Sequence, residues 1–434
     1  MKAKRRVCIR EFEHLVEYGS LQVGSGVGQV SHTAFSFLRG LLHEGREGVQ
    51  GEPLFKLTTY RRQTALKAQN YVGVIQSPCG TQIEILPKLY DDEAHGGLEE
   101  TRRTLINMLR CLKNSPFKHG GTSEIRDERM PLLEVYISQF LSQTNQLVKR
   151  GIRSDYVRQR SNKRYLKGRM LVSQQLQKNA MHPEQFFTDC DEYRVDRPAN
   201  RLIKLTLEIA KRASQSAANQ KLARELSFAF DEVPLSTDIR SDFKKVRLNR
   251  GMRYYEGVLD WCDLLLNGRG STPSSGKFQT ISLFYPMERV FEDFVANRLK
   301  AQVEQIFGAG CKIKAQSASH SLVEDHGGSK IFNLRPDLMV YRGGHPICVI
   351  DTKWKSINSS DRRNKYGISQ ADMYQLYAYG HKYLKNNSRK ELMLVYPMNK
   401  NFQSPLPPFH YEDGFRLKAV PFDLERGRLV FEHD

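Results

Sequence analysis

Three residues in the last third of the chain have the types and spacing that metal-assisted hydrolysis of a phosphodiester requires. Asp337 stands in Leu334-Arg-Pro-Asp337-Leu-Met-Val-Tyr341, and Asp351 and Lys353 stand in Ile347-Cys-Val-Ile350-Asp351-Thr-Lys353-Trp354. Carboxylate oxygens are hard donors suited to Mg²⁺, with Mn²⁺ as a substitute. A bound metal lowers the pKa of the attacking water, and a nearby ammonium offsets charge on the pentavalent phosphate. Side chains alternate along a strand, so Asp351 and Lys353 share one face while Thr352 and Trp354 share the other. The Thr352 carbonyl, lying between the two, is a further candidate metal ligand. Short Asp-x-Lys strings are common at solvated strand ends. This one follows an apolar run, where charges are costly unless paired or metal-bound.

The elements around these residues must bring them together. Gly343-Gly344-His345-Pro346 reads as a turn joining two strands, so Asp337 on the first can approach Asp351 on the second. Upstream, Met287, Val290, Phe291, Phe294, Val295 and Leu299 outline an amphipathic helix that bears Glu292 and Glu288. Glu292 is the preferred fourth acid, one turn deeper, with Glu288 the alternative. A strand near Lys312–Gln316, a helix over Gln370–Leu384 and a strand over Leu392–Tyr396 complete an α-β-β-β-α-β order. That order is the one found in PD-(D/E)xK nuclease cores. In the second helix Gln375 and Tyr379 are four apart, on one face, and both are candidates to face the site.

Before that domain the chain divides into a β-rich region over 1–130 and a mainly helical, basic region over 131–275, leaving 276–434 for the nuclease domain. The expected fold class is α/β, as an α+β multidomain chain. Tyr71–Ile75 and Gln82–Leu86 flank Ser77-Pro78-Cys79-Gly80 and read as a hairpin. A polar linker over Asp91–Gly97 leads to a helix carrying Leu98, Leu105, Met108, Leu109 and Leu112. Leu133, Tyr136, Ile137, Phe140, Leu141, Leu147 and Val148 predict a long helix stopped at Gly151. Another starts near Asn200 with Leu202, Leu205, Ile209 and Ala210. Asn267 to Gly276 is a loop. Its Gly270–Lys277 portion resembles a phosphate-binding loop, but the spacing is one residue too long and Phe278 replaces the Ser or Thr that binds Mg²⁺. No nucleotide is expected on this chain.

With 67 basic and 48 acidic residues, the 434-residue chain carries a net charge of +19, which favours a polyanionic partner. Arg158, Arg160, Lys163 and Arg164, interleaved with Tyr156 and Tyr165, are the candidate DNA contacts. A second basic run, Lys244 to Arg253, precedes Tyr254-Tyr255. Phosphates suit the cations and bases or sugars suit the rings. No apolar window reaches the roughly 18 residues a membrane span needs, and seven scattered cysteines form no C-x-x-C pair. A cytoplasmic protein with reduced thiols is expected.

Several segments recur in an order that resembles the McrC family. They are Ile83-Glu-Ile-Leu-Pro-Lys88, Lys167-Gly168-Arg169, Arg197-Pro-Ala-Asn200, Phe284-Tyr-Pro-Met287, Arg335-Pro-Asp337, Asp351-Thr-Lys353 and Met373-Tyr-Gln375. The resemblance implies a prokaryotic restriction subunit that docks on a hexameric McrB-like AAA+ GTPase, stimulates its GTP hydrolysis and cuts foreign DNA, usually at modified cytosines. It also implies that Asp337, Asp351 and Lys353 occupy the family's catalytic positions. The rival reading is a motor-activating or DNA-binding subunit with little cutting activity of its own.

Overall fold

The computed structural model describes residues 6–19, 24, 26–43, 53–89, 97–113, 116–119, 130–268, 281–316, 320–385 and 390–431, the side chains of Val157 and Glu192 aside. Most of the linker expected at 91–97 and the glycine-rich stretch at 270–277 lie outside them. By contacts the chain divides into two compact units. One is built chiefly from residues 119–268, and the other joins 5–118 to 284–434. The three consecutive stretches expected from the sequence are therefore apportioned differently, with the first and last clustering together. Among the described residues no helix is long and apolar enough to cross a membrane. All seven cysteines are free thiols.

The larger unit opens with β1 (Arg6–Arg10), β2 (His14–Glu17), β3 (Val27–Val30), α1 (His32–His43), β4 (Phe55–Tyr60), β5 (Gln63–Ala68), β6 (Tyr71–Gln76) and β7 (Gln82–Leu86). Strands β3-β2-β5-β4 form one sheet, and β1 pairs in parallel with β7, which pairs with β6. The β6–β7 hairpin turns where expected, with Gly80 in the left-handed region at φ 87°. Every residue of β7 is buried, including Glu84. Such a charge is tolerable only when paired. Arg102 of α2 (Leu98–Arg110) meets both Glu84 oxygens at 2.8 Å, which ties that helix to the sheet.

The smaller unit contains α3 (Leu132–Arg150), β8 (Asp155–Lys163), β9 (Arg169–Met170), α4 (Val172–Lys178), β10 (Phe186–Arg194), α5 (Pro198–Ala213), α6 (Ala217–Ala229), α7 (Ile239–Lys245) and α8 (Glu256–Asn267). Helix α3 ends as expected, with Gly151 at φ 97° and its N–H bonded to the Val148 carbonyl. The α5 stripe is rotated from the expected one: Leu202, Ile203, Thr206, Leu207 and Ala210 are buried, whereas Leu205 and Ile209 are half-buried. The region is also less helical than expected, because the basic stretch folds as β8 in a sheet ordered β8-β10-β9. Buried Asn200 staples the unit. Its amide donates to the Arg153 and Val195 carbonyls at 2.9 and 2.7 Å, and its oxygen accepts from the Tyr255 hydroxyl at 3.0 Å.

The last third continues with β11 (Ser282–Pro286), which edges the β1-β7-β6 sheet beside β6, then α9 (Met287–Phe307), β12 (Cys311–Ala315), β13 (His320–His326), β14 (Ser329–Leu334), β15 (Leu338–Arg342), β16 (His345–Thr352), α10 (Gln370–Tyr383), β17 (Glu391–Pro397), β18 (Phe409–His410), β19 (Arg416–Asp423) and β20 (Arg428–Leu429). The main sheet runs β12-β15-β16-β17-β19-β18, with β20 on β19. Strands β12, β15 and β16 are antiparallel, and β16, β17 and β19 are parallel. Helices and strands over 287–397 thus occur in the expected order, with hairpin β13–β14 inserted. The six apolar residues expected to form the inner stripe of α9 are all buried. Leu334–Tyr341, expected as one strand, is broken at Arg335-Pro336-Asp337. Pro336 has no N–H to give a ladder, so Asp337 sits in the joint just before β15.

Candidate active site

The end of β16 presents the candidate residues. Asp351 and Thr352 are its last members, and the Lys353 N–H still bonds to the Val395 carbonyl of β17 at 2.9 Å, so the pairing runs one residue further. Strand alternation puts Asp351 and Lys353 on one face, and their side chains do meet: Nζ lies 2.7 Å from Oδ2. Asp337 reaches the same strand end from the joint before β15. Its Oδ2 accepts from both the backbone N–H and the hydroxyl of Thr352 at 2.7 Å. Thr352 is therefore the anchor that holds Asp337 in place.

Lys353 is held from three sides. Besides Asp351, its ammonium donates to Gln375 Oε1 at 3.0 Å and lies 3.8 Å from Asp372. The Gln375 amide donates to the Tyr379 hydroxyl at 2.8 Å, and that hydroxyl donates to the Arg335 carbonyl at 3.2 Å. The four-residue spacing on α10 thus builds a relay running from the Asp337 joint to the lysine. Gln375 touches Lys353 directly. Tyr379 is buried and acts through Gln375.

Of the two glutamates on α9, Glu288 is exposed, and the carboxylate that feels its charge is Glu11. Glu292 is half-buried, accepts from Gln316 Nε2 at 2.8 Å and lies within electrostatic reach of Asp337. Burial, then the Asp337 charge, pushes the Glu292 carboxyl up to about 7. Burial followed by Asp337 likewise raises Asp351 well above the carboxylate range. Burial raises Asp337 too, against the two Thr352 donors. Burial alone would depress the Lys353 ammonium. The Asp351 charge, with Asp372 and Asp337 behind it, outweighs that and holds it above its ordinary value.

Three crowded carboxyls with raised pKa values are the electrostatic signature of a cation site. The donor set fits a hard divalent metal. Asp351 Oδ2 is fully buried and, although the lysine is close, no aligned hydrogen-bond donor satisfies it. Among the described residues no three His, Cys, Asp or Glu side chains form a ready-made cage. Mg²⁺ does not need one, since it is commonly held by one or two carboxylates and keeps several waters.

Sequence reading missed four participants. Asp372 is buried and pairs with Lys355 at 3.1 Å as well as with Lys353; its place three residues after the N-cap Ser369 was the available signal. Gln316, Lys113 and Glu11 lie far away in sequence and carried none. The basic stretch is only partly as expected. Arg158 grips both oxygens of buried Asp189 at 2.8 Å and Arg160 meets one at 3.2 Å, though the two arginine side chains stay 66% and 59% exposed. Arg164 is exposed and Lys163 half-buried. Behind the second basic run, Tyr255 is buried in the Asn200 staple and the Tyr254 hydroxyl bonds to the Gly151 carbonyl at 2.8 Å, so neither ring is a free stacking platform.

Comparison with known proteins places these features in a lineage. No curated protein matches the chain significantly. Among solved structures, a chain of the refined half-complex from the tetradecameric assembly of Thermococcus gammatolerans McrB AAA+ hexamers with bound McrC is similar, with a TM-score of 0.66 and 18% identity over 98% of this chain and 97% of that one. A chain of the cryo-EM structure of the Thermococcus gammatolerans McrBC complex aligns with a TM-score of 0.46 and 20% identity, over 69% of this chain and 88% of that one. The first likeness shows a shared fold. The family model described as McrBC 5-methylcytosine restriction system component matches residues 66–397, most of the chain and all of the site described above, and the chain belongs to that family.

Proposed function

We propose that this chain is the DNA endonuclease subunit of a two-component, GTP-dependent restriction system, with a PD-(D/E)xK core cutting foreign, cytosine-modified DNA. The observation that carries the reading is the Lys353 ammonium, 2.7 Å from Asp351 at a strand end that Asp337 closes from the neighbouring strand. The order α9-β12-β15-β16-α10-β17 supports the core assignment. Asp337 and Asp351 would hold Mg²⁺, with Glu292 completing the acidic set and the Thr352 carbonyl as a further ligand. When bound, the metal supplies Lewis acidity and a water of lowered pKa. Lys353, kept charged by its neighbours, offsets charge gathering on the phosphoryl oxygens. Gln375 fixes where that ammonium points.

Family membership and the McrB hexamers in the similar assembly support an AAA+ GTPase partner. This chain would dock on it and stimulate GTP hydrolysis. The net charge of +19 supports DNA as the substrate, with Arg158, Arg160, Lys163 and Arg164 as auxiliary contacts. The test is plasmid cleavage in Mg²⁺, with and without the neighbouring gene's purified NTPase and GTP, comparing wild type with Asp351→Ala. Cleavage that needs partner and GTP and vanishes in the variant is expected. Cleavage unaffected by Asp351→Ala would overturn the assignment of the site. GTPase stimulation that survives in the variant would show motor activation to be separable.

A further inference from the structure

Lys113 lies just beyond α2, 180 residues before the helix it touches. Its backbone N–H donates to Asp293 Oδ2 at 3.2 Å, and its Nζ stands 3.6 Å from Asp293 Oδ1. Asp293 is buried at 5% side-chain exposure, whereas Lys113 is 40% exposed. The backbone donor already satisfies one oxygen of the buried acid. The ammonium contact, by contrast, is an electrostatic one, longer than a hydrogen bond. An ammonium also has three donors, so pairing with Asp293 does not exhaust it.

The position matters because Asp293 adjoins Glu292. The Lys113 charge acts on both Glu292 and Asp337, drawing their pKa values down. A second cation thus stands at the acidic cluster, less buried than Lys353, whose side chain is 21% exposed. Any DNA strand that brings a phosphodiester to Asp337 and Asp351 must lay further phosphates along the same rim. Lys353 is already committed to the Asp351 side of the cluster. Lys113, held on the Glu292 side, is the cation available to a neighbouring phosphate.

We propose that Lys113 is a substrate contact of this site, binding a backbone phosphate next to the scissile one. The inference rests on the nuclease reading and deepens it: residues 5–118 and 284–434 form one compact unit, and the first part would supply a DNA ligand to the second.

Full-length protein is titrated onto a labelled duplex without divalent metal, from about 50 to 200 mM salt, following fluorescence anisotropy. Losing one phosphate contact lowers the slope of log affinity against log salt by about one. Lys113→Ala is expected to show that loss, with binding weakened about five- to tenfold at the lowest salt, and Lys113→Arg to restore both. In Mg²⁺, Lys113→Ala should raise KM by a similar factor and leave kcat within about twofold. Should removing the partner of buried Asp293 unfold the protein, Lys113→Gln in an Asp293→Asn background removes both charges, and the same slope change is expected. An unchanged slope in a folded variant, beside normal cleavage by wild type, would overturn the contact alone. A lowered slope in a protein that never cuts would keep the contact and overturn the nuclease reading. Wild type that binds no DNA would overturn both.

Discussion

The Trp354 indole N–H donates to Glu11 Oε2 at 3.1 Å, joining residues 343 positions apart in sequence. Glu11 follows β1 and is almost wholly buried; the same oxygen accepts from the Lys88 N–H at 3.1 Å, and its other oxygen has no partner. The Trp354 ring packs 5.4 Å from Phe291. The residue after Lys353 is therefore clamped between the Ile-Leu-Pro-Lys segment and the residue before Glu292. Glu11→Ala would leave two N–H groups without their acceptor and is expected to destabilise the protein by about 1–3 kcal/mol. Trp354→Phe keeps the ring contact and loses only the donor, so it should cost about 1 kcal/mol. Thermal melts at constant pH measure both, and equal losses would show that the carboxylate contributes nothing beyond the indole bond.

Burial pushes the Glu11 carboxyl up to about 7 from an ordinary value near 4.5, against its two N–H donors. A carboxyl whose pKa is higher folded than unfolded binds its proton more tightly in the folded state. Its contribution is present in full below about 4.5 and is lost as pH rises through about 7. Stability of the metal-free protein should accordingly fall between pH 5 and 8, and Glu11→Gln should flatten part of that slope. Denaturant melts at three pH values check it. An unchanged slope in Glu11→Gln would place the titration elsewhere.

Asp351 and Glu292 add to the same trend, since both are raised toward about 7. Divalent metal should reverse it by compensating the carboxylates that burial and crowding disfavour. Wild type is expected to gain thermal stability on adding Mg²⁺ at pH 8 and to release protons in doing so. Asp351→Asn removes one crowded charge, so metal-free Asp351→Asn should melt higher than wild type at pH 8 while losing the Mg²⁺ response and at least about 10³-fold in cleavage. A variant that melts lower in the absence of metal would contradict the electrostatic account of the site.

Much of this site was legible beforehand, for reasons visible in particular residues. Period-two alternation put Asp351 beside Lys353, and helical spacing put Gln375 and Tyr379 on one face. Local periodicity cannot report what arrives from a distance. Glu11, Lys113 and Gln316 reach the site only through tertiary packing, and their surroundings in sequence look ordinary. The break at Pro336 was readable from proline's missing donor, yet the apolar run after it invited a continuous strand. The basic stretch was misjudged in part because charge counts do not reveal that Asp189, some 30 residues on, comes back across a strand pair to meet two of its arginines.

The relay through α10 yields a graded prediction. Gln375→Ala removes a direct ligand of the Lys353 ammonium and should lower kcat about 10–100-fold, the usual effect of losing a group that orients a site residue. Tyr379→Phe removes only the hydroxyl that steadies Gln375, so a drop below about tenfold is expected. Neither touches DNA in this arrangement, so KM should hold in both. Steady-state cleavage with the partner and GTP present measures the pair, and a larger defect in Tyr379→Phe would mean that the hydroxyl has a role of its own.

Gly168, in the Lys-Gly-Arg segment, offers a test in the smaller unit. It sits at φ 78°, where any side chain is strained, and a Cβ there would lie 2.6 Å from the Asp189 carbonyl and 2.5 Å from the Cys190 Cβ. Backbone cannot yield as a flexible side chain can, so Gly168→Ala must push β10 away, on top of about 1–2 kcal/mol for the left-handed conformation. Strand β10 carries Asp189, the carboxylate that holds Arg158 and Arg160, so the damage should spread to the β8–β10 pairing. Hydrogen exchange should show faster exchange across residues 155–163 and 186–194 in Gly168→Ala, with α3 and α5 unaffected. Protection equal to wild type in both strands would mean that the backbone accommodates the methyl and that the close approach at Asp189 is not what requires glycine.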